Sequence, residues 1–145
     1  MADTLYNTQI LKLATSIRYH ARLAHPHGIS ERRSPICGSR VSVDVVLDSD
    51  GRIAQLGQEV RACALGQASA SLMGAHAIGR NLAELEEARD ALTAFLAGER
   101  DDPGRWPGLE IFGPARAHSA RHASIRLAFE AVAEAAARAA SAQAA

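Results

Sequence analysis

The stretch Arg40–Val60, RVSVDVVLDSDGRIAQLGQEV, decides how this chain folds. Val41, Val43 and Val45 alternate with Ser42, Asp44 and Val46, the period of two expected of a strand with one buried face. Asp48-Ser49-Asp50-Gly51 interrupts that pattern as a hairpin turn, with Gly51 supplying a positive φ. The return strand, Arg52 to Val60, has Ile53, Leu56 and Val60 as its apolar positions, and Gly57 is expected to mark a bulge. An antiparallel hairpin over 40–60 is thus the centre of a small sheet, with room for a third strand.

Helical spacing surrounds the hairpin. Upstream, Thr4 to Ile17 reads as an amphipathic helix built on Ile10, Leu13, Ala14 and Ile17, with Leu11 on the same stripe and Asp3 or Thr4 as its cap. His25 to Gly38 is polar, holds two Pro and two Gly, and is expected to be a loop. Downstream the helical period resumes at Cys63, with Leu65, Ala68, Leu72 and Ala75 recurring up to Gly79. Leu82 to Leu96 turns Leu85, Ala88, Leu92, Phe95 and Leu96 inward and its charged residues outward, and Gly98 stops it. A charged loop, Glu99 to Pro107, leads to a short helical or irregular piece, Leu109 to Phe112, anchored by Trp106. A last helix starts at His118 or Ser119, and its alanines read as helix propensity. Residues 141–145 are expected to fray. The order predicts an α+β fold, a small antiparallel sheet with helices packed on one face, as a single domain over 1–145.

Composition narrows the function classes. The 145 residues suffice for one core, and 16 basic residues balance 16 acidic ones, against a generally basic nucleic-acid-binding surface. Only Lys12 is lysine; the remaining basic residues are arginine, which reads as codon bias. There is no signal-peptide pattern and no apolar run near the roughly 20 residues a membrane span needs, so a cytoplasmic location without membrane contact is expected. No Ser/His/Asp order, phosphate loop or paired-carboxylate pattern is present, and the chain reads as a non-enzyme.

The sharpest chemical feature is the pair Cys37 and Cys63. In a reducing compartment these are free thiols, metal ligands or nucleophiles rather than a structural disulfide. Cys37 closes the loop that enters the first strand, and Cys63 lies where the second strand passes into a helix. Antiparallel strands joined by a tight turn bring their outer ends together, so the two approach in space. A helix N-terminus favours a thiolate, the form that binds metal or attacks sulfur. The bland alternative is two buried cysteines acting as small hydrophobes.

Several segments resemble the iron–sulfur cluster assembly scaffold family of IscU, SufU and the NifU N-terminal domain. They are Tyr6-Asn7 with Ile10-Leu11, Ile36-Cys37-Gly38 before a valine-rich strand, and Asp50-Gly51-Arg52-Ile53. Ala62-Cys63-Ala64-Leu65-Gly66-Gln67-Ala68-Ser69-Ala70-Ser71-Leu72-Met73 is the most specific; Gly79-Arg80 and Leu127-Ala128-Phe129-Glu130-Ala131 complete the set. The resemblance implies that Cys37 and Cys63 bind iron and sulfide, as a 2Fe–2S cluster, or Zn2+. It also implies a cysteine desulfurase as sulfur donor, recipient apo-proteins, and a homodimer that could bridge a cluster with two cysteines from each chain.

The chain departs from the family pattern at two ligands. Ser39 stands where the resemblance puts an Asp, and an ungapped match puts Ser124 at the third cysteine, with Ala123 there if the match shifts by one. Neutral hydroxyls are poor ligands beside thiolates. His122 is the candidate substitute, and His118 would share its face if that stretch is helical; both also read as surface histidines. His25, His27, Arg116 and Arg121 are candidates to lie near the site, and His76 reads as a helix-surface residue. Two functions follow: a scaffold or carrier for clusters, or a zinc-binding or sulfur-accepting accessory that docks on a desulfurase without assembling clusters. The missing Leu-Pro-Pro-Val-Lys motif points to the SufU side.

Overall fold

A computed structural model describes residues 5–35 and 38–144. The elements run α1 (Thr8–Ala14), β1 (Gly28–Arg33), β2 (Arg40–Leu47), β3 (Ile53–Arg61), α2 (Ala64–His76), α3 (Leu82–Leu96), a 3-10 stretch (Leu109–Ala117), a 3-10 turn (Ser119–Arg121) and α4 (His122–Ala144). The sheet is antiparallel in the order β1-β2-β3. This is the α+β arrangement expected, with the third strand present.

That third strand lies inside the segment expected to be a loop. Gly28 to Arg33 pairs along β2 from Val45 to Arg40. Its polar side chains hid it: Ser30 is buried against α4 and bonded to Glu134, and Gly28 has no side chain to show. A Cβ on Gly28 would sit 2.1 Å from the carbonyl oxygen of Ala135, so glycine is what lets α4 lie on β1. The alanines of α4 serve the same contact. Ala128, Ala131, Ala135, Ala136 and Ala139 are fully buried, so they pack the helix close to the sheet besides favouring the helix.

The hairpin turn forms at Asp48–Gly51, where Asp48 Oδ1 accepts from the amides of Asp50 and Arg52. The expected bulge is elsewhere. Gly57 pairs regularly with Asp44, while the register shifts between Val46 and Leu47, leaving Ala54 as the extra residue of β3. This accounts for the three-residue step from Ile53 to Leu56. Gly57 instead admits a crossing backbone, since a Cβ there would lie 2.4 Å from the carbonyl oxygen of Ala21.

That crossing segment joins α1 to β1 over the sheet face opposite α4. Arg22 grips the buried Asp44 with two hydrogen bonds of 2.8 and 2.9 Å, and the Leu23 amide adds a third at 3.0 Å. Helix α1 is shorter than expected and is capped by Asn7, whose side chain accepts from the Ile10 amide. The proposed caps, Asp3 and Thr4, lie outside the described residues. Of the α1 stripe only Ile10 is fully buried, and Leu11 is half exposed. Trp106 anchors the 3-10 stretch by donating to the Leu72 carbonyl at 2.9 Å and meeting Phe129 edge-on.

Candidate functional site

Three elements converge at one end of the sheet. Cys63 is the residue before α2, extended at φ −66° and ψ 171°, so its side chain stands at the mouth of the helix. Ser39 immediately precedes β2, and Ser124 lies in the first turn of α4. The Ser124 Oγ is 3.2 Å from the Ser39 Oγ and 3.2 Å from the Cys63 Sγ. Both serines are buried and Cys63 is half-buried.

Small residues make this convergence possible. A Cβ on Gly66 would lie 2.6 Å from the Ser124 Oγ, so the first turn of α2 meets α4 only through glycine. One turn on, the Ser69 hydroxyl donates to the Ile125 carbonyl at 2.6 Å, and Ser71 reaches the Ser16 carbonyl at 3.2 Å. The Ala/Ser-rich start of α2 thus fastens the helix to α4 and to the end of α1. The Ser34 amide donates to the Ser39 carbonyl at 2.8 Å and the Gly38 amide to the Ser34 carbonyl at 3.1 Å, which ties Ser39 to the end of β1. Cys37, expected opposite Cys63, lies outside the described residues.

The histidine candidates do not join the cluster. The His122 Nε2 is 2.9 Å from the Ala115 carbonyl oxygen, where it serves as a donor to the 3-10 stretch. His118 is exposed and has φ −118° and ψ 76°, so it shares no helix with His122, and the expected four-residue pair on one face does not form. His27 Nδ1 accepts from the Leu47 amide at the opposite end of the sheet. Arg116 donates to the carbonyls of Phe95 and Arg100, closing the end of α3. His25 and Arg121 are exposed, and no hydrogen bond or ion pair among the described residues ties either to the cluster. His76 lies edge-on to Trp106, and burial holds its imidazole below its ordinary pKa, with Arg80 and Arg18 adding to the effect.

Among the described residues, no group of three His, Cys, Asp or Glu side chains could hold a metal ion. Among the described residues, one sulfur and two neutral hydroxyls do not by themselves complete a tetrahedral zinc site. They fit anionic sulfur. A hydroxyl has one proton, so Ser39 can donate to Ser124 while Ser124 donates to the Cys63 sulfur.

No helix among the described residues is long and apolar enough to cross a membrane. The chain matches no family model. It is 26% identical over 131 residues to the iron–sulfur cluster assembly scaffold protein IscU of Thermotoga maritima, covering 90% of this chain and 92% of that one. The crystal structure of a nitrogen-fixing NifU-like protein (N-terminal) from Brucella abortus superposes with a TM-score of 0.90 at 38% identity, over 96% of each chain. A putative SUF-system scaffold protein from Fervidobacterium islandicum shares the fold, with a TM-score of 0.84 at 20% identity over 94% of this chain and 99% of that one.

Proposed function

This chain belongs to the NifU-like, IscU/SufU family of iron–sulfur cluster assembly scaffolds, and from that premise we propose that it gathers iron and sulfide on Cys63 and Cys37 and passes them on. One observation carries the reading: Cys63 stands at the mouth of α2 with Ser39 and Ser124 from two other elements within one hydrogen-bonded cluster. The cluster is cargo here, and the chain is a carrier rather than a catalyst. Two thiols per chain cannot complete four ligands, so the loaded form is a homodimer with two cysteines from each chain. Sulfur arrives from a cysteine desulfurase, and apo-proteins receive the product.

The two serines favour a second reading in the same place. A hydroxyl chain ending on Cys63 solvates a persulfide sulfur without holding a metal, which suits a sulfur-accepting accessory of a desulfurase.

Anaerobic reconstitution with iron and sulfide tests the first reading, with iron and sulfide counted per chain in the wild type and in Cys63→Ser. Stoichiometric loading on a dimer, lost in the variant, is the expected result. A loaded monomer would sink the bridged-dimer form. Absence of a cluster in the wild type, with desulfurase turnover raised by adding the protein, would establish the accessory instead.

A further inference from the structure

The end of the sheet that carries the site also carries an unusual row of charge. Arg40 pairs across the sheet with Arg33 of β1 on one side and Arg61 of β3 on the other. Residues directly opposite in neighbouring strands share a face, so the three guanidinium groups leave the same side of the sheet, away from α4. With Ser34, Pro35 and Gly38 they line an open cleft of about 740 Å³. Ser39 directly precedes this row, and Cys63 follows Arg61 by two residues.

Like charges directly opposite one another in a sheet repel and destabilise it. Arg33 is relieved by Glu31 at 2.8 Å. Arg40 and Arg61 have no ion pair among the described residues, although Arg40 helps hold the Glu31 carboxyl below its usual range, after the larger effect of Arg33. Nothing in the packing calls for the row: Arg61 is exposed and Arg40 is half-buried.

We propose that Arg33, Arg40 and Arg61 form a docking strip for a short acidic segment of the protein that exchanges cargo at Cys63. The inference rests on the carrier reading for what that partner delivers, but its geometry stands apart from it. Strands spaced about 4.8 Å apart hold the three guanidinium groups close enough for neighbouring carboxylates of one peptide to engage them together. The next row on the same face holds Glu31, Ser42 and Glu59, so acidic groups bound the strip and suit it to a short segment laid across the strands rather than to a long anionic chain such as polyphosphate. A small oxyanion fits less well too, because the three groups stand on an open face rather than converging in a buried pocket. A strip of this kind steers encounter and fixes orientation, so the partner's sulfur or iron arrives facing the thiol.

The test uses the full chain and a fluorescein-labelled hexaglutamate peptide, with binding followed by anisotropy at low and moderate salt. We expect salt-sensitive binding that weakens about tenfold or more in Arg40→Gln/Arg61→Gln. Lys12→Gln/Arg105→Gln, which removes the same charge elsewhere, should bind like the wild type. Removing two repelling charges should leave the melting temperature unchanged or higher. No binding by the wild type, equal loss in both double variants, or a fall of several degrees in the Arg40/Arg61 variant would overturn the proposal. Displacement of the peptide by inorganic phosphate at equal charge concentration would overturn it in favour of a small-anion site. Chemical reconstitution of the Arg40→Gln/Arg61→Gln variant needs no partner and should match the wild type. Failure of the wild type to load would therefore count against the carrier reading and leave the docking result standing.

Discussion

Ser124 is the residue on which the site turns. Its hydroxyl touches both Ser39 and Cys63, so it occupies the centre of a space that a thiolate would also fill. Replacing oxygen by sulfur there changes a hydrogen-bonding group into a metal ligand, at a small cost in volume. Ser39→Asp/Ser124→Cys should therefore bind Zn2+ at least about tenfold more tightly than the wild type. Competition with a colorimetric chelator reads this directly. Unchanged affinity would mean that the three side chains cannot turn towards a common ion. His122, by contrast, is committed to the Ala115 carbonyl, so His122→Ala should act on the 3-10 stretch and not on the cluster.

Among the helices, α3 is the one whose ends are written most plainly in the chain. Asn81 caps it, accepting from the Glu84 amide at 2.9 Å, while the Glu84 carboxylate accepts from the Asn81 amide at 3.0 Å. Asn81→Ala should cost about 1 kcal/mol in urea unfolding; no measurable loss would show that Arg52, which also reaches Glu84, carries the end of the helix. The Asn81 amide holds the Glu84 carboxyl below its usual range, with Arg52 and Arg80 adding to the effect. A depressed carboxyl contributes stability above its unfolded pKa and loses it as the pH falls. The destabilisation caused by Glu84→Gln should accordingly be visible near neutrality and fade as the pH falls below the ordinary carboxylate range.

Across the whole molecule, the sheet is covered twice. Helix α4 closes one face with alanine and glycine contacts, and the segment between α1 and β1 crosses the other, held by Arg22 on Asp44. Asp44 is buried, while Arg22 is 44% exposed. Removing the arginine leaves a carboxylate without its cation under the crossing segment. Arg22→Ala should destabilise the protein by about 2 kcal/mol, less than breaking a wholly buried pair because water reaches the guanidinium. Hydrogen exchange should show faster opening at Gln58, whose amide donates to the Tyr19 carbonyl of that segment at 2.8 Å. Protection that does not change would show the crossing to be held by its backbone contacts alone.

By itself the sequence determined the hairpin, α2, α3 and the place of Cys63, because each has a local signal: a period of two, a period near 3.6, a terminating glycine, a cysteine at a strand-to-helix junction. It carried the resemblance that named the family, and through it drew attention to Ser39 and Ser124. It could not show β1, whose inward residues are Gly28 and Ser30, nor the partner of Asp44, which lies 22 residues away. Tertiary structure alone decided that Ser124 meets Cys63, that His122 turns to a backbone carbonyl, and that three arginines from three strands stand side by side. Ser124 and Cys63 are 61 residues apart and meet because Gly66 lets α2 approach α4, while the arginine row follows from strand register, which no local pattern encodes.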